Sequence, residues 1–357
     1  MGTPELMGGL MNSKTYISAG LALALGLAGS ALAGGETSVG SAGAQELRIP
    51  VGARGTALMG SFLGDVHGVD AICWNPGGLV DLESNEATFG NFNYWADMDM
   101  VQFAAAHNFG NLGALGVSAR VFNYGDLNVT TESQPDGTGE VLQPKSSIIT
   151  LAWSRRISDR VALGMNANLV NQKVKDMSAS GVAFDFGVQV ETPMDGLSFG
   201  IVLKNFGANM KFSGYGNETK FIPDDAEPGS VRKTWTLEYQ DFELPSSFQL
   251  GLAYDVMEDP INRLSTYAAF VGNNHSSDEY IFGAEYGFRN LAFGRFGYTY
   301  ASNISDDATF SQDYLYTWSG GLGFRFDLGA TDLFVDWSYT ENKVFDATQW
   351  YTLRFAF

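Results

Sequence analysis

Gly196-Leu197-Ser198-Phe199-Gly200 matches the G-x-S-x-G string of a serine hydrolase, whose serine sits on a sharp strand-to-helix turn beside a histidine. Here the string opens an alternating, strand-like run, and none of His67, His107 and His275 falls opposite Ser198 on a neighbouring strand in our register. Among 43 glycines such a match is expected by chance. Metal chemistry has no better footing. There is no His-Glu-x-x-His, and the single cysteine, Cys73, makes neither a disulfide nor a zinc pair. Asp224-Asp225 and Asp306-Asp307 lack the spacing of a calcium loop and read as solvated loop charge. We expect no catalytic residue, no metal and no cofactor, hence no enzyme.

The remaining chemistry is charge. Asp185, Asp255, Glu285, Arg295, Arg325, Asp336 and Arg354 each stand on the polar face of an alternating run. Their mixed signs suit an ion-pair network. Either they satisfy one another across neighbouring strands, or they grip a segment docked among them.

The elements that carry these charges are strands. In 182–190, Val182, Phe184, Phe186, Val188 and Val190 alternate with Ala183, Asp185, Gly187 and Gln189, and 248–256 repeats the pattern from Phe248. Strict alternation over runs this long marks strands with one apolar and one polar face, long enough to cross a bilayer at a tilt. We read strands at 86–94, 99–108, 112–124, 146–157, 160–173, 180–191, 195–206, 244–257, 263–273, 278–290, 292–302, 313–327, 330–340 and 347–357. Short connections follow the even-numbered strands and mostly longer ones the odd-numbered, the parity of periplasmic turns and external loops. The fold class is therefore all-β: a fourteen-stranded antiparallel transmembrane barrel over 86–357. On this reading the seven charges gather toward the periplasmic end. The last strand ends Tyr351, Leu353, Phe355, Phe357 on its apolar face, similar to the signal read by the barrel-assembly machinery.

Lys14, a mostly apolar stretch from Ile17, and Ala31-Leu32-Ala33 make residues 1–33 a cleaved secretory signal. The formal charge of −19 excludes a nucleic-acid partner. Outer-membrane lipid and lipopolysaccharide are the expected surroundings, in the cell outer membrane. The long insertion 207–243 contains Thr234–Gln240, an alternating stretch suited to an external hairpin that contacts a partner.

Residues 34–85 do not alternate cleanly and read as a hatch or plug inside the barrel. They contain Leu47, Ile49, Gly52, Ala53, Arg54, Ala57, Met59 and Gly60, then Asp70 and Ala71, then Trp74, Asn75, Pro76, Gly78 and Leu79. In order and spacing this resembles the opening of the PorV/PorQ family, a branch of the FadL-like outer-membrane proteins. Ser61 and Gly77 depart from the family pattern, at positions where Gly and Ala are usual. The resemblance implies a fourteen-stranded barrel with an N-terminal hatch. For PorV-type members it implies work beside a type IX secretion translocon with exported cargo proteins. FadL-like relatives instead pass a hydrophobic ligand such as a long-chain fatty acid. Composition and periodicity do not choose; on the resemblance we expect a binding and shuttling component of protein secretion, with passive transport of hydrophobic small molecules as the alternative.

Overall fold

The computed structural model describes residues 40–301, apart from 216–217, 222–230, 232 and 237, and residues 316–357. The signal segment, residues 34–39 and both Asp pairs of the loops lie outside the described residues.

Fourteen strands form the wall: β1 (Glu86–Asn93), β2 (Asp99–Asn108), β3 (Ala114–Asn123), β4 (Lys145–Ser158), β5 (Val161–Val174), β6 (Met177–Glu191), β7 (Leu197–Gly207), β8 (Ser247–Glu258), β9 (Asn262–Asn273), β10 (Glu279–Phe288), β11 (Ala292–Ala301), β12 (Trp318–Asp327), β13 (Asp332–Thr340) and β14 (Thr348–Ala356). Each pairs antiparallel with its neighbours in sequence. The sheet closes where β1 pairs β14, from Glu86↔Ala356 to Asn93↔Gln349. Closure leaves no unpaired edge, the condition for backbone polar groups to survive in hydrocarbon. Compared with the sequence reading, β8 begins at Ser247 rather than 244, because Leu244–Ser246 pack as loop.

Alternation becomes a two-sided wall because successive side chains point to opposite faces. Phe184 and Phe186 are exposed outward while Ala183 and Asp185, which alternate with them, are buried. Leu322, Phe324 and Phe326 face outward on β12, and Tyr351, Leu353, Phe355 and the terminal Phe357 on the last strand. An outer face of large apolar side chains over an inner face of Ser, Thr, Asn and Gly suits lipid outside and a filled lumen inside.

Residues 40–85 run through that lumen. Gly40 donates to the His275 carbonyl, and Ala42 bridges to Glu243, among the long loops of one end. The chain then passes a 3-10 turn (Gln45–Arg48), a short helix α1 (Ala53–Ala57) and 3-10 turns at Gly68–Ile72 and Pro76–Asp81. It leaves at the opposite end, where Asn85 and Phe357 exchange backbone hydrogen bonds beside the start of β1. Large hatch side chains (Leu58, Phe62, Val66, Val69, Ile72, Leu79) meet small wall residues such as Ala104, Ala114, Ala152 and Ala253. Burying each large one contributes about 1.5–3 kcal/mol.

Wall glycines provide the remaining room. A Cβ on Gly164 would lie 2.2 Å from the Pro76 backbone, and one on Gly187 2.1 Å from Asn75 Oδ1. The abundance of glycine is thus partly a cast of the hatch.

In the insertion, residues Glu218–Phe221 pair with Lys233–Thr236, which places Trp235 in a small hairpin outside the wall.

Candidate functional site

The hatch motif is one packed unit. Gly52, at φ 82°, opens α1, and the Ala53 N–H donates to Thr352 Oγ1 on β14 at 2.9 Å. Gly60, at φ 79°, lets the chain turn against the Trp74 ring, where a Cβ would lie 2.5 Å from it. Met59 also has positive φ, and it packs with Trp74 against Leu63 and Val202. Trp74 Nε1 donates to the Val51 carbonyl at 2.9 Å. Asn75 caps the turn at Pro76: its Oδ1 accepts from the Gly77 N–H, and its Nδ2 donates to the carbonyls of Leu63 and Val188. Gly78 sits where a Cβ would strike the Val66 carbonyl, and Leu79 is fully buried.

Arg54 ties this unit to the wall. Its Nε and Nη2 donate to the two oxygens of Glu285 on β10, at 3.1 and 3.0 Å. Arg295 on β11 donates to the same carboxylate at 2.5 Å and to Asp336 on β13 at 2.5 Å. A second chain runs from hatch Asp65 to Arg263 at 3.5 Å, and from Arg263 to Asp255 at 3.2 Å. Tyr267 OH also donates to Asp65. Glu86 receives Arg354 at 2.8 Å and the Val69 N–H at 2.8 Å, while Arg325 pairs Asp332 at 2.6 Å.

Six of the seven sequence-derived lumen charges therefore lie near the short-turn end. The seventh is a correction: Asp185 stands mid-strand on β6, apart from that belt. It accepts from Asn166 Nδ2, Asn168 Nδ2 and the Asn205 N–H. There β7 carries an extra residue: the register jumps from Phe184↔Phe206 to Phe186↔Leu203, with Asn205 at φ 57°. A carboxylate that accepts an otherwise orphaned N–H stabilises such a bulge.

Burial pushes the Asp70 carboxyl in the hatch above the ordinary carboxylate range, partly offset by Arg354 and Arg54. The Cys73 thiol is likewise pushed up by burial, against the pull of Arg120 and Lys204. It stays a neutral thiol at neutral pH.

Between hatch and wall, toward the long-loop end, lies a cavity of about 520 Å³. That is the size class of small-molecule pockets. Its apolar lining includes Ile49, Val51, Met59, Trp74, Phe92 and Ile281. Above Phe92, which stacks on Trp350 at 4.7 Å, the aromatic wall continues through Tyr94 and Trp95 to Phe345.

Three cations line the same cavity: Arg48, which pairs with Glu279 at 3.2 Å, Arg120 from β3 and Lys204 from β7. The last two stand apart. Among the described residues no carboxylate lies within ion-pair distance of either. Arg120 is buried and its Nε has no hydrogen-bond partner. Lys204 Nζ donates to the Cys73 carbonyl at 2.6 Å and lies over the Trp74 ring at 5.5 Å. Asp185 is within electrostatic reach of Lys204, but its oxygens are committed to the three asparagines. Sequence reasoning did not single these cations out. Phase was the available signal: Arg120 shares a face with Ser118, and Lys204 with Gly200, each opposite a greasy face.

Ser198 lies within β7, one residue into a strand that follows a turn at Gly196. No strand-to-helix elbow surrounds it.

No protein-family model matches the chain. No curated protein matches it by sequence. Solved structures do. The CymD monoaromatic hydrocarbon channel aligns at TM-score 0.57 and 13% identity, over 86% of this chain and 97% of that one. The Pseudomonas putida toluene transporter TodX aligns at 0.54 and 12%, over 85% and 96%. A Pseudomonas aeruginosa FadL homologue aligns at 0.53 and 10%, over 86% and 98%. The PorV/PorQ resemblance gains no support here, so a secretion role rests on the hatch motif alone. In architecture the chain shares the fold of these three proteins, a closed fourteen-strand antiparallel barrel.

Proposed function

We propose that this protein is an outer-membrane passage for small hydrophobic molecules, and that its preferred ligands carry an anionic head on an apolar body. The observation that carries this reading is the cavity: apolar side chains on one part of a mixed lining, beside two cations, Arg120 and Lys204, that have no ion-pair partner among the described residues. A buried cation without a partner is costly. A ligand carboxylate would relieve that cost while its hydrocarbon replaces water along Ile49, Val51 and Phe92. The hatch runs the length of the lumen and packs most densely toward the short-turn end, so a ligand entering from the long-loop end meets it beside the cavity. The similarity to hydrocarbon channels supports the apolar part of the reading; the cations distinguish acids from hydrocarbons.

The test compares laurate with 1-dodecanol, which share a chain and differ in charge. Purified barrel is titrated with each, with folding verified by heat-modifiable electrophoretic migration. Laurate should bind the native protein more tightly. Arg120→Gln with Lys204→Gln should weaken laurate by about tenfold or more, from loss of charge-assisted hydrogen bonds of about 1.5–3 kcal/mol, and leave dodecanol unchanged. Val271→Trp, which fills the cavity from β9, should weaken both. A folded Val271→Trp barrel that binds both ligands normally would overturn the passage reading. Equal losses for both ligands in the Arg120/Lys204 variant would overturn the anionic head.

A further inference from the structure

The wall of this acidic chain carries a basic patch on its lipid-facing side. Lys145 at the head of β4 and Lys173 near the end of β5 are direct cross-strand partners, and both are exposed. Lys175 follows at the tight β5–β6 turn. Like charges placed directly opposite destabilise a strand pair. Among the described residues neither Lys145 nor Lys173 has a carboxylate at ion-pair distance. Of the nearby acids, Glu140 is committed to Lys175 at 2.6 Å, and Asp176 adjoins Lys175 at the turn.

The height of the patch identifies what it meets. On the outer faces of β4, β5 and β6, Ile149, Leu169 and Val182 form one register row and are the last large apolar side chains toward the long-loop end. The next row is neutral and polar: Ser147, Asn171 and Ser180, with Asn171 donating to Ser180 at 2.7 Å. The row above holds Lys145 and Lys173. Two rows of two residues, at about 3.3 Å per residue and a tilt of about 40°, lift the lysines about 10 Å above the apolar edge. That is the outer margin of the headgroup layer, about 5–8 Å thick on each side of the hydrocarbon, and a flexible lysine stem reaches down into it.

A cleft of about 320 Å³ lies against the patch, lined by the three lysines together with Glu140, Val141, Leu142 and Gln143, with Glu140 neutralised by its pair with Lys175. Val141 and Leu142 belong to a small ribbon, Leu127–Asn128 with Val141–Leu142, beyond the β3–β4 end of the wall.

We propose that Lys145 and Lys173, beside the Lys175–Glu140 pair, form a binding site for the phosphate of an anionic outer-leaflet glycolipid of the lipid A type. The phosphate bridges Lys145 and Lys173, removing their mutual repulsion, and the acyl chains run down the wall over Ile149, Leu169 and Val182. The site rests on the outer-membrane placement proposed above and is independent of the lumenal cavity.

The experiment is native mass spectrometry of the folded barrel in detergent, titrated with bis-phosphorylated lipid A, dephosphorylated lipid A and phosphatidylglycerol. A one-to-one adduct with the bis-phosphorylated lipid is expected. Binding should fall at least tenfold for the dephosphorylated lipid and for Lys145→Gln/Lys173→Gln. Lys145→Arg/Lys173→Arg should retain it, and Lys211→Gln, at a separate ion pair with Glu238, should have no effect. Full binding by the double glutamine variant would overturn the site. Phosphatidylglycerol binding as tightly as lipid A would overturn the glycolipid assignment, and so would displacement of lipid A by millimolar inorganic phosphate. Unchanged laurate binding by the glutamine variant keeps this result separate from the cavity reading.

Discussion

Arg54→Met tests whether the hatch is held by charge. The substitution keeps a long apolar stem against Phe62, whose ring lies 5.2 Å from the guanidinium, and removes both bonds to Glu285. Glu285 and Asp336 then share Arg295 alone, one cation for two buried carboxylates. Breaking a buried pair by removing one partner costs about 3–5 kcal/mol. If that cost falls on hatch docking, the undocked population rises by about two to three and a half orders of magnitude. Two ties near this level survive, Asp65 to Arg263 and Tyr267 to Asp65, so the hatch loosens without leaving. Limited proteolysis of the folded barrel reads this opening, because cleavage follows the open population when reclosing is fast. Cleavage between residues 40 and 85 should accelerate while the wall keeps its heat-modifiable migration. Arg54→Met/Glu285→Gln removes the stranded carboxylate as well and should recover part of the protection, a coupling that a double-mutant cycle measures. Unchanged protection in Arg54→Met, or a double variant that opens as much as the two single effects added, would refute the argument.

Other consequences follow from the same geometry. Asp70 has a raised folded-state pKa, so its ionised form costs stability above the unfolded pKa, and the cost disappears as pH falls through the folded value. Asp70→Asn should therefore protect the hatch from protease at pH 7 and match the native protein in acid; equal protection at both pH values would contradict the burial argument. Gly187→Val places side-chain atoms where Asn75 and Pro76 now lie and should lower the yield of folded barrel or expose the hatch, by about 1–3 kcal/mol for overpacking. Native yield with native hatch protection would show that the contact yields freely. Asp185→Ala removes the acceptor shared by Asn166, Asn168 and the Asn205 N–H, each worth about 1–3 kcal/mol when left unsatisfied. The temperature at which the barrel loses its folded migration should drop; an unchanged temperature would mean that the β7 bulge does not need this carboxylate.

The wall was legible because pleating converts sequence parity directly into side-chain direction. Phe184-Asp185-Phe186 reads as out, in, out before any strand is paired, and the parity of short and long connections orients the ends. Contacts across the lumen were less accessible. They depend on how far each strand is staggered against the next, and β7 shows why: one additional residue beside Asp185 shifts β7 against β6 and moves its outward side chains from Phe199, Ile201 and Leu203 to Phe206. For the same reason the inward phase of Arg120 and Lys204 was readable, yet their convergence on one cavity was not, since it joins β3 to β7 through a hatch that has no period at all. The hatch was recognised instead by residues that only a confined path requires. Gly52 and Gly60 adopt positive φ, and Asn75 uses its whole amide on its own turn and on two carbonyls, one of them in the wall. A motif of that kind specifies how a segment packs inside a barrel. It says nothing about what passes beside the segment, which is why the hatch pattern and the cavity chemistry point to different biology and why the charge on the ligand, rather than the motif, decides between them.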